Sequence, residues 1–411
     1  MTSCCRVSSG RVAAIPTRLP RLAAKLLPMP RRICVPIATR GNYGKAKSIL
    51  RAIIDRPELE LQLVVTGGIM LPELEDFRAN IRADGFPIAE FVPFRLDGDS
   101  LEIMALSAAL ATLEFSRTLT RLDPDVVFII ADRFEALSFA HAAICMNKII
   151  AHLEGGEVSG SIDERIRHAI TKLAHIHFPS NTDAARRIER MGEIATSIFP
   201  VGSPSLDLLT AIDVDDSGPL FDWQANLPHQ GVSIDFDMDY ILVSQHPVVT
   251  EYVCADEQLL TTAAAVSRLG KSVVWILPNM DAGQTSGRRG VEALRRSGVP
   301  VFCSSGVSME IYARLMRKAK VMIGNSSSGI REAEYLGVPV VNVGSRQNGR
   351  QRGRNVVDVG YVAEDIENAA RLQMQHGRFA SEYVYGDGRA GSKIAEMLSS
   401  HKFELDKVIC Y

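Results

Sequence analysis

Three short segments place carboxylates directly after apolar, strand-like runs. Asp132-Arg133 follows Val126–Ile130; Glu154 and Glu157 stand in His152-Leu-Glu-Gly-Gly-Glu157, after Ile149–His152; Asp163-Glu164 opens a helical stretch, Ile162–Leu173. A charged pair at the end of a buried strand has no packing purpose, although an ion pair or a helix cap would account for each one singly. Three adjacent strand-end loops that each present a carboxylate to one side point to general acid and base chemistry on weakly acidic C–H or O–H groups.

A second set of residues suits an anion. Gly324-Asn-Ser-Ser-Ser-Gly329 follows a strand ending at Ile323 and precedes a helix expected over Gly329–Leu336. Small residues allow close approach, and serine hydroxyls with helix-start N–H groups supply donors, so the turn reads as a phosphate cradle; a plain serine cap is the alternative. Gly344-Ser-Arg-Gln-Asn-Gly-Arg-Gln-Arg-Gly-Arg354 holds four arginines in nine residues. They either clamp a pyrophosphate, which guanidinium forks match well, or form a solvated loop. His246, in Ser244-Gln-His-Pro247 at a strand end, fits a ligand contact better than a core position. His168, His175 and His177 lie near Lys172 without zinc spacing, so packing or a cleft wall is the expectation, and no metal site.

The elements that position these groups alternate strand and helix. Ile33–Ala38 is a strand, followed by a Gly41/Gly44 turn and a helix to Ile54; Leu61–Thr66 is the next strand; Leu101–Leu122 and Phe134–Cys145 are helical. After a break over 212–238, rich in Asp, Gly and Pro, the rhythm resumes: strand Tyr240–Ser244, helix near Glu257–Leu269, strand Val273–Leu277, helices Gly287–Arg296 and Met309–Arg317, strand Val321–Ile323 and strand Val338–Val343. This rhythm predicts an α/β fold of two Rossmann-like, doubly wound parallel-sheet domains with a cleft between them, ligands lying at the carboxyl ends of strands. The expected boundaries are an N-terminal extension at 1–32, a first domain at 33–211, a linker at 212–238, a second domain at 239–385, and a C-terminal helix in 386–411 that crosses back to the first domain. The chain of 411 residues, at roughly 150 per domain, agrees with two.

Composition narrows the class. With 46 Lys+Arg against 48 Asp+Glu, the net charge of −2 argues against a dedicated nucleic-acid binder. The seven scattered cysteines lack a CxxC pair and read as reduced thiols of a cytoplasmic protein; no apolar run reaches the roughly 20 residues of a membrane span. Residues 1–32 carry seven Lys and Arg and no acid. That composition resembles a transit peptide, or else translation begins at Met29; in either case the segment is set apart from the fold.

The run from His152 to His175, His-Leu-Glu-Gly-Gly-Glu-Val-Ser-Gly-Ser-Ile-Asp-Glu-Arg-Ile-Arg-His-Ala-Ile-Thr-Lys-Leu-Ala-His, closely resembles the hydrolysing UDP-N-acetylglucosamine 2-epimerases. These are the bacterial sialic-acid-pathway enzymes and the epimerase half of the animal bifunctional epimerase/kinase. Ala131–Glu135, Gln245–Glu251, Pro278–Gly283, Gly324–Glu332, Gly344–Arg350 and Tyr385–Gly388 follow in the same order, so the resemblance covers about residues 33–400. It implies a two-domain fold like the GT-B glycosyltransferases, with UDP in the cleft.

The resemblance implies elimination of UDP across C1 and C2, then hydration and reprotonation on the opposite face, with no cofactor. It makes Asp132, Glu154, Asp163 and His246 the catalytic residues, Glu154 being the first choice for the C2 base and His246 lying near the diphosphate. It places Arg40, Arg133, Asn279, Ser326, Ser327, Glu332 and Arg346 around UDP and its ribose, and Asp281 near the uracil. Arg40 heads Arg-Gly-Asn-Tyr-Gly44, where many relatives have Arg-Ala-Asp-Tyr; Asn42 removes any role of that aspartate. The expected partner is a UDP-sugar, in a homodimer or homotetramer. Alternative readings are the same chemistry on a 2,4-diacetamido-trideoxy UDP-sugar, a non-hydrolysing epimerase, and a nucleotide-sugar sensor without catalysis.

Overall fold

The computed structural model describes residues 29–96, 101–130, 132–158, 162–227, 231–277, 284–304 and 307–410. Two six-stranded, all-parallel sheets carry the fold. The first contains β1 (Arg31–Ile37), β2 (Leu59–Thr66), β3 (Ile88–Val92), β4 (Val126–Ile130), β5 (Ile149–Leu153) and β6 (Ile176–Phe178), in the order β3-β2-β1-β4-β5-β6. The second contains β7 (Tyr240–Ser244), β8 (Ser272–Ile276), β9 (Val301–Ser304), β10 (Val321–Gly324), β11 (Val340–Val343) and β12 (Val356–Val359), in the order β12-β11-β10-β7-β8-β9. Each sheet is doubly wound, as the alternation in the sequence requires. The winding reverses between β1 and β4 in the first lobe and between β7 and β10 in the second. Ligands of such sheets sit at these switch points, beyond the carboxyl ends of the strands.

The central strands are buried on both faces, which explains their unbroken apolar runs: Val126–Ile130 and Tyr240–Ser244 are buried throughout. Helices α1 (Arg40–Ile54), α2 (Glu75–Ala83), α3 (Leu101–Leu122), α4 (Phe134–Cys145) and α5 (Ile162–Leu173) belong to the first sheet, followed by α6 (Thr182–Arg190), α7 (Pro204–Thr210) and α8 (Gly218–Ala225). The second sheet carries α9 (Ala255–Ser267), α10 (Gln284–Arg296), α11 (Met309–Lys318), α12 (Glu332–Tyr335) and α13 (Ala363–His376). The last helix, α14 (Ala390–Ser400), returns to the first lobe, where Ala390, Ile394, Ala395 and Leu398 join a core that includes Ile49 and Leu50 of α1. The Asp207 carboxylate of α7 caps its start, accepting from the N–H groups of Ala390 and Gly391 at 2.9 and 2.7 Å.

Three boundaries differ from the sequence reading. β1 begins at Arg31, two residues inside the segment set apart as an extension, because Arg32 is paired with Asp123 and Asp125 at 3.1 and 3.3 Å. Residues 212–238, read as a linker, contain α8 and bury Leu220, Ile234 and Phe236 in the second lobe's core. The helix expected over Gly329–Leu336 is a 3-10 turn, Ser327–Gly329, followed by the four-residue α12. No helix among the described residues is long and apolar enough to cross a membrane.

Candidate active site

The loop after β5 is the centre of the site. Glu154 takes a left-handed backbone, φ +61°, which is costly for any residue other than glycine and persists only where its surroundings enforce it. Gly156, at φ +76°, is required here: a Cβ would lie 2.2 Å from the Ala184 carbonyl oxygen of the adjoining α6. The turn buries both Glu154 and Glu157.

These carboxylates are matched by cations from both lobes. Lys45 Nζ of α1 bonds Glu154 Oε2. Arg331, from the turn before α12 in the second lobe, donates Nη1 to Glu154 Oε1 at 2.9 Å and Nη2 to Glu157 Oε2 at 2.6 Å. Arg350 lies 3.7 Å from Glu157, and Ser180 Oγ donates to Glu157. Burial works to raise both carboxyls, but the cations outweigh it. Arg331 and Lys45 hold Glu154 far below the usual carboxylate range, and Arg331 with Arg350 lowers Glu157. Guanidinium donors exceed acceptors here: the buried Nε of Arg331 and Nη1 of Arg350 have no protein hydrogen-bond partner.

Asp132, at the end of β4, joins the same network. Arg167 of α5 donates one nitrogen to the Asp132 carboxylate and the other to the Glu157 carbonyl at 2.7 Å. Asp163 sits in the first turn of α5, four residues before Arg167, and so on the same helix face. A continuous chain of contacts therefore runs from Asp132 through Arg167, Glu157 and Arg331 to Glu154, with Asp163 one turn away.

On the second lobe, Asn325 is the node. Its buried side chain grips His246 at two points, accepting from the His246 N–H at 2.7 Å and donating to the His246 carbonyl at 2.8 Å. Its own carbonyl accepts from Arg346 Nη1 at 2.9 Å and Gln347 Nε2 at 2.8 Å. Three loops are thus locked together at the β7–β10 switch point. Gly324, at φ +135°, permits this: a Cβ there would lie 2.2 Å from the Ser244 carbonyl oxygen. Burial and the nearby Arg346 cation push the half-buried His246 imidazole down to about 4. It is neutral at neutral pH.

The serine turn differs from the cradle read from the sequence. The N–H groups of Asn325 and Ser326 both donate to the Ser244 carbonyl, at 3.1 and 3.2 Å, and Gly329 N–H donates to Ser326 O. Gly324 serves strand packing, and donors here come chiefly from hydroxyls. Ser326 and Ser327 are half-buried, and Ser326 Oγ connects through Ser328 Oγ to the Tyr312 hydroxyl. The basic loop also departs from a simple clamp. Arg350 donates Nε to Val158 O across the cleft at 3.2 Å, Arg352 bonds Asp358 and Gln347 O, and the exposed Arg354 pairs with Glu382 at 3.1 Å. Of its four arginines, Arg346 is the one whose charge acts on His246.

The remaining expected ligands are partly placed. Arg40 is the exposed first residue of α1, after the Thr39 cap, and Asn42 donates to the Ile130 carbonyl at 3.2 Å across the β1–β4 switch point. Arg133, exposed at the start of α4, lies 3.3 Å from Glu135. Glu332 is buried at the start of α12, beside Arg331. Asn279 and Asp281 lie outside the described residues. Sequence reasoning passed over Lys45, Arg167, Asn325 and Arg331. The available signal was a charged or amide side chain within otherwise small or apolar blocks, such as Arg331 in Ser-Gly-Ile-Arg-Glu332. His175 and His177 lie elsewhere, on β6 and its approach, where His177 meets Glu193 at 3.1 Å in a buried pair.

Comparison with known proteins gives the family. The family model described as UDP-N-acetylglucosamine 2-epimerase matches residues 51–399. The chain is 31% identical over 377 residues to a UDP-N-acetylglucosamine 2-epimerase of Neisseria meningitidis, covering 90% of this chain and 96% of that one. It is 32% identical over 388 residues to a UDP-N,N'-diacetylbacillosamine 2-epimerase (hydrolyzing) of Legionella pneumophila, covering 93% of this chain and 100% of that one. In fold it is similar to a UDP-GlcNAc 2-epimerase from Neisseria meningitidis solved with UDP-GlcNAc, at TM-score 0.73 and 15% identity over 90% of this chain and 100% of that one. A family match spanning most of the chain, with two relatives above 30% identity along nearly their whole length, makes this chain a member of the UDP-N-acetylglucosamine 2-epimerase family, in company with its hydrolysing enzymes.

Proposed function

We propose that the protein is a hydrolysing 2-epimerase that converts UDP-N-acetylglucosamine and water to N-acetylmannosamine and UDP, a step toward sialic-acid-type sugars. The observation that carries this reading is the 2.9 Å contact between Arg331 and Glu154. It brings the segment that follows the serine turn in one lobe against the carboxylate loop of the other, which supports a reading in which a sugar diphosphate meets an acid–base set at its sugar end and donors at its diphosphate end.

In this reading Glu154 takes the C2 proton. The C1–O bond breaks, its electron pair leaves with UDP, and a C1–C2 double bond forms. Water then adds at C1 and a proton returns to C2 on the opposite face. Asp132 and Asp163, on loops that Arg167 joins, handle the proton traffic of this second half. Negative charge gathers on the departing diphosphate, where Ser326, Ser327, Arg346 and the neutral His246 stabilise it more in the transition state than in the bound substrate. Arg40, Arg133 and Glu332, with Asn279 and Asp281, are assigned to the nucleotide.

A second substrate is kept as the alternative on one observation: identity to the diacetylbacillosamine enzyme, 32%, stands beside that to the N-acetylglucosamine enzyme, 31%. Incubation with each UDP-sugar in turn separates them. Release of UDP with N-acetylmannosamine supports the first reading; turnover confined to the diacetamido sugar supports the second; tight UDP binding with no turnover of either refutes both.

A further inference from the structure

The loop carrying Glu154 is held from two sides that belong to different bodies. Lys45 belongs to the same lobe as Glu154, on α1, and its contact survives any movement of the lobes. Arg331 belongs to the other lobe, 177 residues away in the chain. Its guanidinium is buried, lies 5.5 Å from the Tyr385 ring, and spends both terminal nitrogens on this one loop, at Glu154 and Glu157. Such a planar fork fixes orientation as well as charge, which an ammonium cannot do. Glu157 is braced independently by Ser180 and Arg350, so it anchors the second prong. Around Glu154 the charged groups are therefore Lys45 from α1, Arg331 and Arg350 from the second lobe, and Glu157 from its own loop.

We propose that Arg331 is the positioning residue of Glu154, and that the base is complete only when the lobes meet and this guanidinium locks the carboxylate in its ionised, aimed state. The inference rests on the reading of Glu154 as the C2 base. Its physical ground is that Glu154 is 4% exposed, so water does not stabilise its charged form, and sits on a left-handed backbone, so its own conformational preference does not hold its aim. With Lys45 alone, a carboxyl so buried returns toward protonation. With Arg331 added it stays ionised down to low pH, at some loss of intrinsic basicity that correct aim offsets.

The test is the pH profile of kcat for UDP release, measured beside UDP affinity. The unmodified protein is expected to show no acidic limb from Glu154 above pH ~5. Arg331→Gln removes a cation within ion-pair distance and moves the acidic limb upward by roughly one to three pH units. Arg331→Lys restores the charge without the fork and returns the limb part of the way. Glu157→Gln leaves Arg331 to Glu154 alone, and its limb stays as low as that of the unmodified protein; this second variant decides the matter if Arg331→Gln does not fold. A fall in kcat with an unmoved limb in Arg331→Gln, or a limb that rises in Glu157→Gln, overturns the proposal and leaves Arg331 a packing residue. Absence of turnover by the unmodified protein on any UDP-sugar overturns the parent reading itself, and is seen before any variant is compared.

Discussion

Replacing Asn325 by alanine tests whether the locked loops of the second lobe form the diphosphate site. The substitution removes two side-chain hydrogen bonds, to the N–H and the carbonyl of His246, at 2.7 and 2.8 Å. Asn325 is fully buried, so no other group replaces its side chain. At about 1 kcal/mol net for each bond, the loop loses about 2 kcal/mol of local order. His246 is half-buried, and water recovers part of this. The bonds from Arg346 and Gln347 reach the Asn325 carbonyl and survive the change, so the lobe itself remains folded. If UDP binds only with His246 in place, the loss appears in affinity, and at ~1.4 kcal/mol per tenfold the expected weakening is about tenfold, with a limit of roughly thirtyfold. Titration calorimetry with UDP reads this directly. Affinity within twofold of the unmodified protein would show that the Asn325–His246 clamp has no part in holding the diphosphate.

Other perturbations have equally definite outcomes. Glu154→Gln and Asp132→Asn keep shape but remove the carboxylate, and kcat should fall by a factor of about 10²–10⁴ with UDP affinity nearly unchanged; a loss below fivefold removes the residue from proton transfer. Gly324→Ala forces a methyl to within 2.2 Å of the Ser244 carbonyl at φ +135°, and should abolish soluble folded protein or sharply lower the melting temperature; unchanged melting contradicts the tight switch-point geometry. Lys407→Met takes an ammonium from the carbonyls of Thr171, Lys172 and Ala174 and from Glu193, and should lower stability by about 2–3 kcal/mol in chemical denaturation. Burial opposes ionisation of Glu193, but His177, Lys172 and Lys407 outweigh it and bring its carboxyl down to about 2. Its contribution is therefore present above the ordinary value of 4.5 and is lost as pH falls toward 2, so Glu193→Gln should flatten the melting temperature against pH in that window; an unaltered slope contradicts the assignment.

The central strands were legible because burial on both faces writes continuous apolar runs, as in β4, β7 and β10. Edge strands were not. β12 has only partly buried or exposed residues, with Asp358 among them, and β6 is three residues long with His177 inside it, a polar residue made tolerable by Glu193. The packed nature of residues 212–238 was hidden because Leu220, Ile234 and Phe236 are spread among Asp, Gly and Pro without a period. The carboxylate loops were visible as strand ends carrying charge. Their cations were not, because Lys45 lies 109 residues before Glu154 on α1 and Arg331 lies 177 residues after it in the other lobe, so neither pairing shows in local spacing. The serine turn misled for a related reason: its glycine and amides serve the crossing of β7 and β10, a contact between strands 80 residues apart.

The central claim is that a base in the cleft removes the proton at C2. Turnover of UDP-N-acetylglucosamine in deuterated water, with the sugar product read by mass spectrometry and proton NMR, tests it most directly. The account predicts N-acetylmannosamine carrying one deuterium at C2, released together with UDP. N-acetylglucosamine with its original C2 proton, or N-acetylmannosamine without deuterium, would contradict it.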